Sequence, residues 1–482
     1  MNNLLQMPLT EAVKAVKSKK VSAVELTRAS LGRIAECKEL NNFITVCAES
    51  ALAAAAEADK KIALGGDPGP LAGVPVAVKD NISTKGIRTT CASKFLQNYV
   101  PPFDASVVTA LRNAGASIVG KTNMDEFAMG SGSENSYFGA VKNFRERSRV
   151  AGGSSGGSAN AVAACEVFAA LGSDTGGSIR QPAAYCGVAG LKPTYSLVSR
   201  YGLIAFASSL DQIGPLGRTV RDCALMLDVL AFADPRDSTS VPRPQKTYSD
   251  FVPRVKGKRI GIAKEFFPDT LNADVRKRLN AAVAALEGAG AVVKETSIKS
   301  FNAALATYYV LSSAEAASNL ARFDGIKYGY SDRSGDGLTD IYFKSRTGGF
   351  GDEVKRRIMT GNYVLSSGYY DAYYLKASKV RTLIKREYED ALRDCDALIC
   401  PTAPSSAFKA GKKTSDHTQV YLEDVYTVPV NIAGLPALSV PCGTDGGGMP
   451  IGMQLIGKAF DEKNLFELAG AFEEITGGNA DV

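Results

Sequence analysis

Two glycine–serine segments hold the residues best suited to chemistry. One is Gly152-Gly153-Ser154-Ser155-Gly156-Gly157-Ser158, the other Gly172-Ser173-Asp174-Thr175-Gly176-Gly177-Ser178-Ile179-Arg180-Gln181-Pro182. Neither reads as a phosphate cradle. A P-loop needs Gly-Lys followed by Ser or Thr, so that the lysine reaches the phosphates, and no lysine is present in either segment. A dinucleotide-binding turn follows a strand directly, whereas Gly152 follows a polar stretch. Acyl transfer fits better. Ser178 comes just after a predicted strand and a tight glycine turn. Gly176 and Gly177 let the backbone fold sharply and aim its N–H groups at one point. Such donors stabilise the oxyanion of a tetrahedral intermediate, and a serine in the same turn can attack the carbonyl they hold.

A serine hydroxyl is a weak nucleophile until a base takes its proton. The chain has one histidine, His417, in the polar stretch Lys412-Lys413-Thr414-Ser415-Asp416 that reads as an exposed loop. A Ser-His-Asp triad and a histidine-rich zinc site are therefore excluded. Lysine and carboxylates are left as bases. Lys79 stands at the C-terminal end of the apolar run Val74-Pro75-Val76-Ala77-Val78, the end at which open α/β sheets build sites. Acting as a base there requires its pKa to fall from ~10.4 toward ~7, about 4 kcal/mol of differential interaction, within the range of buried lysines. A hydroxyl between Ser178 and Lys79 can relay the proton, and Ser154 is a candidate.

The elements that must position these residues alternate. The N-terminal region, about residues 1–65, reads as helical: Thr10-Glu11 starts one helix, Ser22-x-x-Glu25 is a capping box for a second, and residues 51–61 are alanine-rich. A strand over residues 74–78, a helix over 105–114 capped by Asp104, and a strand over 117–119 follow. This alternation predicts parallel strands crossed by helices. Residues 130–158 are rich in Gly and Ser but lie inside an α/β unit, where such loops line sites more often than they act as linkers. Thr219-x-x-Asp222 caps a further helix. Strands are expected near 260–262, 291–293, 397–400 and 437–440, helices over 274–289 and 462–475, and a mostly helical insertion over about 301–395.

The length of 482 residues allows about three domains. No internal repeat or clear linker divides the chain, so one large α/β domain with helical insertions is expected. The net charge of +6 is too mild to argue for nucleic-acid binding. The nine cysteines are widely spaced without a CxxC pair, which suits a reducing compartment and argues against a structural zinc site. No signal-peptide pattern opens the sequence and no apolar run of about 18 residues occurs, so a soluble, cytoplasmic protein is expected.

Residues Gly152 to Pro182 closely resemble the amidase signature, whose core is a GGSSGGS loop followed by a Gly-Gly-Ser-Ile-Arg turn. The resemblance implies a single amidase domain over residues 1–482, with a large mixed central β-sheet covered by α-helices. It also implies a Ser–cis-Ser–Lys triad: Ser178 as the acyl-forming nucleophile, Ser154 as the bridging serine after a cis Gly153–Ser154 bond, and Lys79 as the base. The amides of Thr175, Gly176, Gly177 and Ser178 would form the oxyanion hole. Within the family, Lys121–Gly130, Gly172–Arg180, Ser199–Leu203, Ser208–Gln212 and Asp234–Ser238 are similar to the A subunits of tRNA-dependent amidotransferases. That likeness implies a glutaminase working with B and C subunits as a heterotrimer. Ammonia from glutamine would pass to the partner, which uses ATP and Mg²⁺ to amidate misacylated tRNA; no cofactor or metal is implied in this chain. Arg357 would hold the substrate carboxylate, Asp424 its ammonium, and Tyr309 is a third pocket candidate. Asn143-Phe144-Arg145-Glu146 departs from the family's Asn-Pro-Trp-Asp.

Two rival readings share these residues. A stand-alone amidase for other small amides would keep the triad and differ in pocket and partner. A non-catalytic assembly protein would have no need of an intact Lys79, Ser154 and Ser178. Hydrolysis of fatty-acid amides is disfavoured because no membrane anchor is visible.

Overall fold

The computed structural model describes residues 3–411 and 420–477; His417 lies outside the described residues. Eleven strands form one sheet among the described residues: β1 Phe43–Val46, β2 Pro75–Lys79, β3 Ser117–Thr122, β4 Ala169–Asp174, β5 Ala189–Lys192, β6 Gln212–Gly217, β7 Arg259–Ala263, β8 Val292–Thr296, β9 Ala397–Pro401, β10 Ala437–Thr444 and β11 Pro450–Ile456. Their spatial order is β1-β3-β2-β4-β6-β5-β10-β11-β9-β7-β8. The sheet is mixed. β2 runs parallel to both β3 and β4, and β7 to both β8 and β9. The remaining neighbours are antiparallel. A mixed central sheet is what the resemblance implied, and the parallel strands expected from the alternation are found at β2, β3 and β4 and at β7, β8 and β9. Strands β2, β3, β4 and β6 are buried along their whole length, as helices packed on both faces of a sheet require.

The N-terminal region is not wholly helical, because β1 pairs antiparallel with β3 between two helices, Ala23–Glu36 and Ala48–Ala63. The first of these is capped twice. Ser22 Oγ accepts the Glu25 N–H at 3.0 Å, and the Asp59 carboxylate accepts the N–H groups of Ala23 (2.8 Å) and Val24 (3.0 Å). A full capping box opens helix Val220–Leu230 at Thr219 and Asp222. Asp104 does not cap helix Ser106–Asn113 as the sequence suggested. Its carboxylate accepts the Lys85 N–H at 2.7 Å and pairs with Arg112 at 3.2 Å.

Between β8 and β9 the chain forms helices Ala304–Leu320, Leu338–Gly349, Asp352–Leu365 and Lys376–Arg393. Asn143, in the segment that departs from the family pattern, donates from its side chain to the carbonyls of Val150 (3.0 Å) and Tyr185 (3.1 Å). The following Phe144 N–H donates to Asn160 Oδ1 at 2.8 Å. The loop is thus closed without the proline or tryptophan. Among the described residues, no helix is long and apolar enough to cross a membrane.

Candidate active site

Strand β2 ends at Lys79 and its direct neighbour β4 ends at Asp174, so the amine and the Ser178 turn emerge side by side. Lys79 has no solvent exposure. Its Nζ donates to Ser154 Oγ and Ser155 Oγ, both at 2.7 Å, and to the Ser173 carbonyl at 3.2 Å. Burial lowers its pKa from 10.5 to about 7; the nearby carboxylates of Asp125, Asp174 and Asp211 oppose that fall. An amine in this state is neutral often enough at neutral pH to accept a proton. The Gly153–Ser154 peptide is cis, as the resemblance implied. Ser155 was not singled out from the sequence, yet its hydroxyl is as close to Lys79 as that of Ser154. It also donates to the Ser173 carbonyl at 3.1 Å. The only signal for it was its place beside Ser154 in the glycine-bounded pair.

The Ser178 turn is built around Asp174. Its buried carboxylate accepts the N–H groups of Gly177 (2.8 Å) and Ile179 (3.1 Å). Two nitrogens of Arg180 also donate to it, Nε at 3.0 Å and Nη2 at 2.9 Å, together with the Asn431 side chain at 2.9 Å. Burial alone would raise the Asp174 pKa, but the Arg180 guanidinium outweighs it and holds the carboxyl well below its usual range. Arg180 completes its bonding with the Thr427 carbonyl (3.0 Å), Gln454 Oε1 (2.5 Å) and Asn431 Oδ1 (2.5 Å). Helix Arg180–Cys186 is thereby fixed two residues after Ser178.

Gly177 has φ +137°, and a Cβ there would lie 2.2 Å from Thr427 Oγ1, so no larger residue fits. The expected oxyanion hole needs one correction. The Gly177 N–H is committed to Asp174, which leaves the amides of Thr175, Gly176 and Ser178 as candidate donors. The Ser178 carbonyl accepts the Ser155 N–H at 3.1 Å, which ties the two glycine–serine loops together.

Arg357 and Asp424 are buried, and Tyr309 is half-buried with its hydroxyl turned inward. Arg357 projects from helix Asp352–Leu365; its Nε donates to Glu353 Oε1 at 2.7 Å. Its guanidinium carbon lies 4.4 Å from the Tyr309 ring centre and 5.0 Å from that of Tyr421. Those two rings stack at 4.0 Å, and the Tyr421 hydroxyl donates to Glu353 at 3.0 Å. Arg357 Nη1 and the Tyr309 hydroxyl are buried without a hydrogen-bond partner among the described residues. Two such groups are costly unless a ligand satisfies them. Asp424 accepts from Ser131 Oγ at 2.7 Å, and burial raises its pKa to about 7 against the pull of Ser131 and Arg357. Tyr421, Glu353 and Ser131 were not found in the sequence, because no motif marks them. The arrangement offers a cation, an anion and a hydroxyl to a small zwitterion, beside a serine turn with a buried amine. Among the described residues no cluster of His, Cys, Asp or Glu is arranged to hold a metal.

The family model described as Amidase matches residues 25–466. The A subunit of glutamyl-tRNA(Gln) amidotransferase from Carboxydothermus hydrogenoformans is 54% identical over 475 residues, 98% of each chain. The protein of the same name from Gloeobacter violaceus is 55% identical over 463 residues, 96% of this chain and 95% of its own. Among solved structures, the A subunit of glutamyl-tRNA(Gln) amidotransferase from Thermotoga maritima superposes with a TM-score of 0.82 at 41% identity, covering 98% of this chain and 96% of that one. The native peptide amidase from Stenotrophomonas maltophilia gives 0.85 at 30% identity, covering 99% and 98%. A chain that matches this model over most of its length, and whose β2 and β4 bring a buried lysine to a serine-bearing glycine turn, belongs to the amidase family.

Proposed function

We propose that this chain is the glutaminase component of a tRNA-dependent amidotransferase and that Ser178, Ser154 and Lys79 carry its chemistry. The observation that supports this most directly is the fully buried Lys79 amine, 2.7 Å from the Ser154 hydroxyl and held near a pKa of about 7. In this reading Ser178 Oγ attacks the side-chain carboxamide carbon of glutamine. Its proton passes through Ser154 to Lys79, and the turn amides stabilise the oxyanion. The same relay returns a proton to the departing nitrogen, and ammonia leaves. Water then hydrolyses the glutamyl ester on Ser178 by the reverse path and glutamate is released. Arg357 pairs with the α-carboxylate through Nη1, which has no partner among the described residues, Asp424 with the α-ammonium, and Tyr309 closes the pocket over both.

The chain then works with B and C subunits. Ammonia reaches the partner, where ATP and Mg²⁺ serve the amidation of Glu-tRNA(Gln), Asp-tRNA(Asn) or both; this chain needs neither. The proteins that are 53–55% identical to it over nearly their full length are named as the A subunit of such an enzyme. Cytoplasmic residence follows from that role in translation.

A second reading, a stand-alone amidase, draws on the peptide amidase's TM-score of 0.85, which shows that fold alone does not separate the two. Replacing Ser178 by alanine in the assembled enzyme tests the first reading: glutamine hydrolysis should vanish while assembly persists, and surviving hydrolysis overturns it. Arg357→Ala separates the two readings, because a glutaminase loses affinity for its substrate whereas a generic amidase barely responds.

A further inference from the structure

The side-chain amide of Gln181 touches the relay loop and the substrate-anchor loop at once. Gln181 is fully buried in the first turn of helix Arg180–Cys186, three residues after Ser178. Its Oε1 accepts the Gly153 N–H at 2.9 Å, immediately before the cis bond to Ser154. Its Nε2 donates to the Ser131 carbonyl at 2.9 Å. The Ser131 hydroxyl in turn donates to Asp424 at 2.7 Å. The loop interface is tight: a Cβ on Gly153 would lie 2.1 Å from Asp125 Oδ2 and 2.7 Å from the Gly132 nitrogen. One amide, donating on one side and accepting on the other, therefore spans the nucleophile helix, the relay loop and the loop that orients the anionic anchor.

We infer that Gln181 is a positioning residue that sets the distance between the reacting serines and Asp424, and so the length of the amino-acid amide the site accepts. This inference rests on the glutaminase reading for the identity of the substrate and on the geometry above for the role of Gln181. The amide is the group the role demands. Glutamate can still accept the Gly153 N–H but, as a carboxylate, cannot donate to the Ser131 carbonyl. Methionine, of similar length, can do neither.

The test uses the full chain in its native complex and reads the protection of Ser178 from a sulfonyl fluoride by L-glutamine, alongside steady-state hydrolysis of L-glutamine and of butyramide, which has no α-ammonium for Asp424. Gln181→Glu should weaken protection by L-glutamine and raise its KM by about tenfold or more, the scale of one lost charge-linked contact. Butyramide turnover and unprotected Ser178 labelling should stay within about twofold of wild type. Gln181→Met should add a fall in kcat for both substrates. The effect of Gln181→Glu on protection should disappear in a Ser131→Ala background, because the two residues act in series.

Unchanged protection in Gln181→Glu, an equal loss for both substrates, or full additivity with Ser131→Ala each overturns the inference. Wild-type chain that glutamine protects but that does not turn glutamine over sinks the glutaminase reading alone. Wild-type chain that glutamine does not protect sinks both.

Discussion

Lys79 Nζ and Ser154 Oγ stand 2.7 Å apart, and neither residue has any solvent exposure. A charged amine in such a place gives up its hydration without a carboxylate in contact, and this is why its pKa falls. The chemistry and the stability of the site both follow from that one placement.

Activity should therefore have a steep acid limb. Lys79 and Asp424 both titrate near pH 7. Below that, Lys79 is protonated and cannot take the Ser178 proton, while Asp424 is neutral and cannot hold an ammonium. A plot of log kcat/KM for glutamine against pH should fall with a slope approaching two below about pH 6. Asp424→Asn should reduce the slope to one at a lower overall level. A slope of one in the wild type would remove one of the two groups.

The contribution of Lys79 to stability should rise with pH, as activity does, but over a higher window. Its folded pKa of about 7 lies below its ordinary value of 10.5. Between those values the unfolded chain binds the extra proton, so the group's contribution to stability rises with pH across that window and is unfavourable at and below its lower edge. Lys79→Met should lower glutamine hydrolysis by about 10³-fold or more. Its melting temperature at pH 7 should be no lower than that of wild type. Thermal unfolding followed by circular dichroism decides this, and a clear drop would mean that the amine's hydrogen bonds outweigh its desolvation.

Arg357→Lys should act mainly on KM. A lysine at that place supplies charge without the planar fork, so KM for glutamine should rise about tenfold or more while kcat changes less. Tyr309→Phe removes a buried hydroxyl that has no hydrogen-bond partner among the described residues. It should raise the melting temperature slightly and also raise KM, whereas unchanged KM would show that the hydroxyl never meets the substrate.

Asp174→Asn should be a folding defect first. It leaves the Arg180 guanidinium buried with its charge unopposed, a loss of roughly 3–5 kcal/mol. Equilibrium unfolding should show it directly. Lost activity with unchanged stability would contradict the structural role given to Asp174 here.

The triad was legible because its serines lie in short, glycine-bounded motifs and Lys79 closes an apolar run. Strand direction was not legible, because antiparallel and parallel neighbours in a sheet buried on both faces present the same apolar runs. Strand β6 escaped notice for a related reason. Its sequence Gln-Ile-Gly-Pro-Leu-Gly has no alternation and carries Pro215, which normally argues against a central strand. Strand β5 pairs with β6 only at Gly217 and Leu216, so Pro215 sits beyond the end of that ladder. Ser131 and Gln181 meet across 50 residues of sequence, and Asp424 lies 293 beyond Ser131. No local pattern encodes separations of that kind. The commitment of the Gly177 amide to Asp174 was likewise invisible, since a motif names residues but not the direction of their N–H groups.

The pairing of Ala77 with Ala170 has a practical result. Side chains alternate across a sheet, so displacing β2 by one position would turn the residue 79 amine to the opposite side and leave the serine loops facing valine or aspartate instead. Chains that mispair at this junction can be compact and helical and still be inert. Turnover per mole of purified protein therefore counts the molecules whose central strands have zipped in the native alignment, which circular dichroism alone does not distinguish.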